Sequence, residues 1–542
     1  MAGKTWIAVV LCFLVWYGYL KWFAPKPPVA PAQSASVGEM VSPEGTASIP
    51  SLPADGLFSG RVLKSFQTAE LAPELKLESP AVFMQFQNQG GNLHSVVLPT
   101  YRETVKDTSP LVAPVSDSKT PFSLSTLFSD PALKDFEVAP YSGSVESGVV
   151  RLTRKATSGV SVTKTYQLDE RAYFSTMEVE VRFPGASTKS DWGQLVIPLG
   201  GTGLEFKAQE PLNAWEAVTY QSDSVTRHHI SDLDAAEERK GSTGWVAFGN
   251  RYFTTVAANL SEINPDVVFQ GGDAFKGVYL RYPLKLKSGQ NVLNFKLRLY
   301  TGPKDLNNLK EIPGLSKLVD YGMFSVVAFP LLHLLKFFYN FVKNYGVAII
   351  LLTLLVRGLF YPLTQKSMRS MKAMQKLQPQ INALKEKYKD DRERLNREQM
   401  ALFKTHKVNP AAGCLPILIQ LPVFIALYQV LANSMELFHQ PFFGWVMDLS
   451  AKDPFYIYPV LMGVAMFFQQ RMTPSAGMEP MQQKMMMFMP IVFTFFMINL
   501  PSGLTLYIFV STLLGMVQQL YTNRETPSPA VAVVDAPNTE KG

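Results

Sequence analysis

The sequence predicts a multi-span α-helical membrane protein that carries a large all-β domain outside the membrane. Three observations point there. Apolar runs of about the length of a bilayer crossing recur after residue 344. Before them, short stretches alternate apolar and polar residues with the period of two expected of β-strands. The mean hydropathy is +0.05 although 18% of the residues are charged. That mixture suggests a water-soluble part joined to a membrane part, and 542 residues exceed one ordinary domain.

Residues 1–23 hold the apolar run Trp6 to Leu20 behind Lys4. The run fits a cleaved signal peptide, with Ala30-Pro31-Ala32 as a weak cleavage site. Trp16, Tyr17, Tyr19 and Trp22 form an aromatic belt and favour an uncleaved anchor, the first of six expected spans. Residues 24–56 are rich in Pro, Ala and Ser and read as a disordered tether.

Residues 57–314 read as one all-β domain of sandwich type. The clearest strands are 160–168, 174–183, 278–286 and 292–300, rich in β-branched and aromatic residues. No catalytic constellation stands out in this domain. His228 and His229 read as solvated residues of a polar loop.

Residues 315–343 are amphipathic. His333, Lys336, Asn340 and Lys343 interrupt the segment and Pro330 should break or kink it, so a helix lying on the membrane surface is expected. Residues 344–364 read as the second span. Its one charge, Arg357, lies about 10 Å from the end at Thr364 for a rise of 1.5 Å per residue. A charge facing lipid at depth costs several kcal/mol, so such arginines usually face a bundle interior or a wet cavity. Snorkelling toward the headgroups is the alternative. Thr353, Arg357 and Tyr361 recur at every fourth position and read as one polar stripe.

Residues 365–412 read as an αα-hairpin with a turn at Lys389-Asp390-Asp391. Twelve Lys/Arg against five Asp/Glu place it in the cytoplasm. Lys366, Arg369, Lys372 and Lys376 on one arm, with Lys404 and Lys407 on the other, suit either ribosomal RNA phosphate or anionic lipid.

The third span is expected at 413–435, the fourth at 455–470, the fifth at 485–500 and the sixth at 504–521. Loop 436–454 carries Glu436, Asp448 and Asp453 against Lys452 and falls outside. Loop 471–484 carries Arg471 and Lys484 against Glu479 and falls inside. Both termini, including the tail 522–542, are then cytoplasmic, and outside means the periplasm if the cell is Gram-negative. Several apolar segments are shorter than a full span; spans in a thinned bilayer, with Gln469, Gln470, Gln518 and Gln519 at wet ends, fit better than re-entrant helices.

Arg357 has no acidic residue in any expected span to pair with, which points to water or a transient anionic partner. Gln420, Phe424 and Tyr428 on the third span, and Tyr507, Ser511, Gly515 and Gln518 on the sixth, share its cavity or bond helices together. Methionines cluster at Met472, Met478, Met481, Met485, Met486, Met487, Met489 and Met497, either as adaptable surface or as ordinary packing. The two cysteines, six histidines and the absence of a Walker motif leave no metal site, cofactor or nucleotide to expect.

Six stretches carry a resemblance to the YidC membrane protein insertases of Gram-negative bacteria: VRGLFYPLT (356–364), LQPQINALKEKYKDD (377–391), NPAAGCLPILIQLPVFIALYQVL (409–431), DPFYIYPVLMGVAMFFQQ (453–470), PMQQKMMMFMPIVFTFF (480–496) and PSGLTLYIF (501–509). GWVAF (244–248) and VDYG (319–322) extend it into the β domain. The resemblance implies a five-helix core around a hydrophilic groove that opens to cytoplasm and lipid, with Arg357, Thr353 and Tyr507 as groove residues. It implies a periplasmic β-supersandwich without catalysis, location in the bacterial inner membrane, and nascent membrane proteins, the Sec translocon and the ribosome as partners. Two departures stand out. Ile508 occupies a position where many relatives have a second tyrosine, and residues 523–542 lack the basic tail common in the family. A secondary transporter for a small anion is the rival reading, but no inverted repeat or broken helix pair supports it, and no small-molecule substrate is expected.

Overall fold

The computed structural model describes residues 71–116, 123–185, 189–202, 215–271, 276–389, 391–406, 408, 415–472 and 480–525. The expected anchor, the tether, Lys407, Met478 and the tail beyond residue 525 lie outside the described residues.

The first half is three antiparallel sheets. Nine strands run in the order Ser224–His229, Glu216–Gln221, Thr243–Gly249, Phe253–Asn259, Val292–Pro303, Phe174–Arg182, Ser161–Leu168, Val149–Lys155, Ser142–Glu146. Five run Glu237–Arg239, Asp266–Gln270, Lys276–Lys285, Asp191–Thr202, Leu127–Phe128, and four run Leu71–Glu78, Phe83–Gln87, Asn92–Arg102, Leu111–Ser116. The alternation does what a half-buried strand requires: Val162, Lys164 and Tyr166 point inward while their neighbours are partly exposed. Phe86, Val162, Leu195, Leu280 and Leu297, drawn from all three sheets, share one apolar core.

His228 departs from the expected solvated loop. It lies in a strand, half-buried, with its ring 4.4 Å from Phe269 and Nε2 3.3 Å from Glu237, and burial lowers its pKa.

The second half is helical. We label α1 Ser325–Val342, α2 Tyr345–Lys376, α3 Gln378–Lys387, α4 Arg392–Thr405, α5 Leu415–Asn433, α6 Ile457–Met472, α7 Pro480–Met497 and α8 Ser502–Glu525. Among the described residues, α1, α2 and α8 are long and apolar enough to cross a membrane, while 420–433 and 485–497 are shorter apolar helices. Pro330 does not break α1. It sits in the second turn, where losing one backbone donor leaves the helix otherwise intact. Asn344 caps α2, its Oδ1 accepting from Val347 N at 3.0 Å. Helix α2 then runs without interruption past Thr364 to Lys376, so the expected second span and the start of the hairpin are one 32-residue rod. Asp391 caps α4 by accepting from Arg394 N at 2.9 Å. Ile381 and Phe403 close the hairpin's small core.

Helix α8 packs on α2, α5 and α6, α7 packs on α6, and α1 packs on α2 and α5. Gly463 permits the approach of α7: a Cβ there would stand 2.2 Å from Thr494 Oγ1. Met485, Met487, Met489, Phe495 and Phe496 on α7 are exposed, as apolar residues facing lipid are. The described methionines of this helix thus sit largely on its outer surface.

The β domain is clamped to the helices. Phe438 packs between Tyr252 (4.9 Å) and Phe253 (5.3 Å), and Arg227 donates to Lys317 O and Leu318 O at 2.8 and 2.9 Å. Burial alone would raise the Glu216 carboxyl, yet Lys304 and Arg227 beside it hold it down at about 2.

Candidate functional site

Helices α2, α5, α6, α7 and α8 enclose a cavity of about 460 Å³. Most of its wall is apolar, as expected of helices among lipid, so its few polar groups are the informative ones. Arg357 enters it from α2 and donates from Nε to Ser511 Oγ on α8 at 2.9 Å. Tyr507, one turn before Ser511 on α8, accepts at its hydroxyl from Gln420 Nε2 on α5 at 3.0 Å. Among the described residues no carboxylate lies within ion-pair distance of Arg357. Its positive charge therefore faces the cavity without a permanent counter-ion.

Gly515 makes the room. A Cβ at this position would lie 2.6 Å from Gln469 Nε2 and 3.7 and 3.8 Å from the two terminal guanidinium nitrogens. The glycine lets α8 pass close to both polar side chains. Leu421, 51% exposed, lines the cavity and marks a side on which it is not sealed.

Of the eight expected groove residues, Arg357, Gln420, Phe424, Tyr507 and Ser511 line the cavity. Thr353, Tyr361 and Tyr428 do not. Thr353 is buried and its hydroxyl donates back to Ile349 O at 2.6 Å on its own helix. Tyr361 is 40% exposed on the outer surface. At 3.6 residues per turn each fourth residue advances by about 40°, so the ends of a nine-residue stripe diverge by about 80°. Thr353 and Tyr361 stand about 40° to either side of Arg357, one turn along the helix in each direction, and lie outside this lining, as does Tyr428 about two turns beyond Gln420.

Gln518 and Gln519 were expected at wet ends. They are 8% and 5% exposed and tie helices together: Gln518 Nε2 donates to Tyr361 O at 3.3 Å and Gln519 Nε2 to Met472 O at 2.6 Å. Thr522 adds a hydroxyl donated to Gln365 Oε1 at 2.8 Å. This rung of polar contacts joins α8 to α2 and to α6 beyond the cavity. Phe360, Thr364, Met466, Gln469 and Thr512 also line the cavity and were not expected there. Gln469 alone had a sequence signal, as a glutamine ending an apolar run.

At the hairpin, Lys366, Arg369 and Lys404 are exposed, whereas Lys372 and Lys376 are half-buried. The four α2 residues lie on one side of the rod.

Comparisons place this architecture. Residues 74–334 match the family described as the YidC periplasmic domain, and residues 337–529 match the 60Kd inner membrane protein family. The membrane protein insertase YidC of Geobacter metallireducens is 38% identical over 97% of this chain and 98% of its own length. That of Geobacter sulfurreducens is 37% identical over 97% and 98%. A crystal structure of an active YidC insertase with its first transmembrane domain resolved is 20% identical, covers 85% of this chain and 95% of its own, and superposes with a TM-score of 0.36. Identity at this level along nearly the whole length shows that the chain belongs to the YidC family of membrane protein insertases.

Proposed function

We propose that the protein inserts nascent membrane proteins into the bacterial inner membrane by lending them a polar, positively charged recess inside the hydrocarbon layer. The observation that carries this reading is the unpaired Arg357 guanidinium in a cavity of about 460 Å³ among apolar helices. A translocating segment must carry its polar flank across ~30 Å of hydrocarbon. A recess reaching partway shortens that path, and Arg357 attracts acidic residues of the segment as they pass. The apolar part then leaves toward lipid along the side marked by exposed Leu421. No covalent step or nucleotide is involved, consistent with a family of insertases rather than enzymes.

The same reading gives six spans with both termini in the cytoplasm, a periplasmic β-supersandwich, and α1 lying at the periplasmic membrane surface. If α1 crossed instead, α2 would deliver the basic hairpin to the periplasm, against the positive-inside rule. Ribosomes dock at the hairpin base through Lys366, Arg369, Lys372, Lys376, Lys404 and Lys407, which share that role with anionic lipid. The protein works alone or beside the Sec translocon.

The test is insertion of a single-span substrate with an acidic translocated segment into proteoliposomes. Wild-type protein should insert it, and Arg357→Ala should lower the rate about tenfold, the equivalent of 1.4 kcal/mol. An Ala variant as active as wild type overturns the electrostatic role of Arg357.

A further inference from the structure

A second cavity, of about 540 Å³, lies where the segment after the β domain meets α1. Lys310, Lys317, His333 and Lys336 line it, with Asp320 as its one acidic lining residue. Asp320 stands 3.6 Å from Arg227, and Lys336 is paired with Glu436. Among the described residues Lys310 and Lys317 have no carboxylate within 4 Å. Lys317 lies 4.9 Å from the centre of the Tyr220 ring and its Nζ is 3.4 Å from Asp223 O, which orients the ammonium without neutralising it. The cavity is thus a cationic recess with backbone and hydroxyl groups nearby.

Its position adds a second property. Phe329 both lines the recess and is exposed, and Val326, Phe337 and Phe341 continue the exposed apolar face of α1 at 83%, 54% and 71%. Positions 329, 333 and 336 lie on the flank of α1 adjoining the face of 326, 337 and 341. A molecule seated here meets positive charge at one end and a lipid-facing apolar surface at the other. We propose that this recess binds the phosphate headgroup of an anionic phospholipid in the periplasmic leaflet, with its acyl chains along Val326, Phe337 and Phe341. The bound lipid fixes the depth of α1 and, through Lys317 and Asp320, the tilt of the β domain over the membrane. This rests on the reading of α1 as a surface helix.

The experiment reconstitutes the full-length protein in vesicles of phosphatidylglycerol and phosphatidylcholine and adds two photoreactive lipid probes. One carries its diazirine beside the headgroup, the other at mid-chain, and labelled peptides are mapped by mass spectrometry. The headgroup probe should label residues 306–336 when it is anionic and about tenfold less when it is zwitterionic or when Lys310 and Lys317 are both Ala. Lys310→Glu, a change of an exposed side chain with no ion pair among the described residues, should lower labelling on its own, while Lys366→Ala should leave it unchanged. Labelling insensitive to headgroup charge or to these lysines, with mid-chain labelling of α1 intact, overturns the lipid site and leaves the surface helix standing. Loss of headgroup labelling in excess inorganic phosphate shows a free-anion site and overturns it too. No mid-chain labelling of Phe337 and Phe341 overturns the surface reading and the site together.

Discussion

Arg357 on α2 and Ser511 on α8 are 154 residues apart in sequence and are joined by a 2.9 Å hydrogen bond from Nε to Oγ. That bond uses one of the five guanidinium donors and leaves the terminal nitrogens toward the cavity. A neutral hydroxyl orients the cation without cancelling its charge, which a carboxylate at the same place would do. Insertion by Arg357→Lys should therefore remain close to wild type, because charge rather than fork geometry meets the substrate. A Lys variant as slow as Arg357→Ala in the proteoliposome assay would show that guanidinium geometry is required.

Gly515 tests whether the empty space matters apart from the charge. Gly515→Ala needs only a shift of the flexible Gln469 amide, and alanine gains up to ~1 kcal/mol of helix propensity. Its melting temperature and insertion rate should be near or above those of wild type. Gly515→Leu fills the recess beside the guanidinium and should lower insertion as far as Arg357→Ala. Equal insertion by the Leu variant and wild type would show that substrates do not use this part of the cavity.

Asp453 is a buried cap. Its two oxygens accept from Trp445 Nε1 at 3.0 Å, Phe455 N at 3.1 Å and Tyr458 N at 2.7 Å, holding the loop to the start of α6. Asp453→Ala should cost about 2–4 kcal/mol by leaving these donors without a partner. Asp453→Asn should recover part of that loss. Thermal unfolding in detergent followed by tryptophan fluorescence would measure both, and an Ala variant as stable as wild type would refute the role.

Lys164 gives the β domain a pH dependence. It is fully buried, donating to Gly90 O at 2.6 Å and Asn92 Oδ1 at 2.9 Å, and burial pushes its pKa from 10.5 down to about 7. Between those values the unfolded chain holds one more proton than the folded one, so stability rises with pH. The slope should approach 1.4 kcal/mol per pH unit at most from pH 7 to 9, below the tyrosine range. In Lys164→Met this slope should vanish. An identical pH profile of melting temperature in both proteins would show that Lys164 stays charged in the fold.

At the hairpin base, reversing Lys366, Arg369 and Lys404 should weaken ribosome binding more at 50 mM than at 200 mM salt, and so flatten its salt dependence, if RNA phosphate is the partner. Deleting residues 526–542, which carry few basic groups, should change it little. Sedimentation with ribosomes across a salt series decides. Dependence on the tail with none on the hairpin would reverse the assignment.

Local pattern carries far in this chain, and its reach has a physical limit. Period-two alternation at 160–168, 174–183, 278–286 and 292–300 falls on the strands Ser161–Leu168, Phe174–Arg182, Lys276–Lys285 and Val292–Pro303, because one face of each is buried. Apolar runs located the helices, and the excess of Lys/Arg in 365–412 marked the hairpin. An arginine in a run of twenty mostly apolar residues was legible because its cost in lipid admits few explanations. Strand partners were not legible. Val292–Pro303 sits between Phe253–Asn259 and Phe174–Arg182, and alternation says which face a strand buries but not which strand lies beside it. Nor could spacing decide the fate of each polar side chain in the membrane. Thr353 turned to its own backbone, Gln518 and Gln519 became ties between helices, and Gln469 became part of the cavity, because a polar group in a low-dielectric bundle goes to whichever donor or acceptor the neighbouring helix brings within 3 Å or so. The sequence by itself determined that a positive charge lies within an apolar helix and must reach a bundle interior, a wet cavity or the headgroups. The packing of α8 against α2, α5 and α6 at Gly515, Ser511 and Tyr507 decided where the space for it lies.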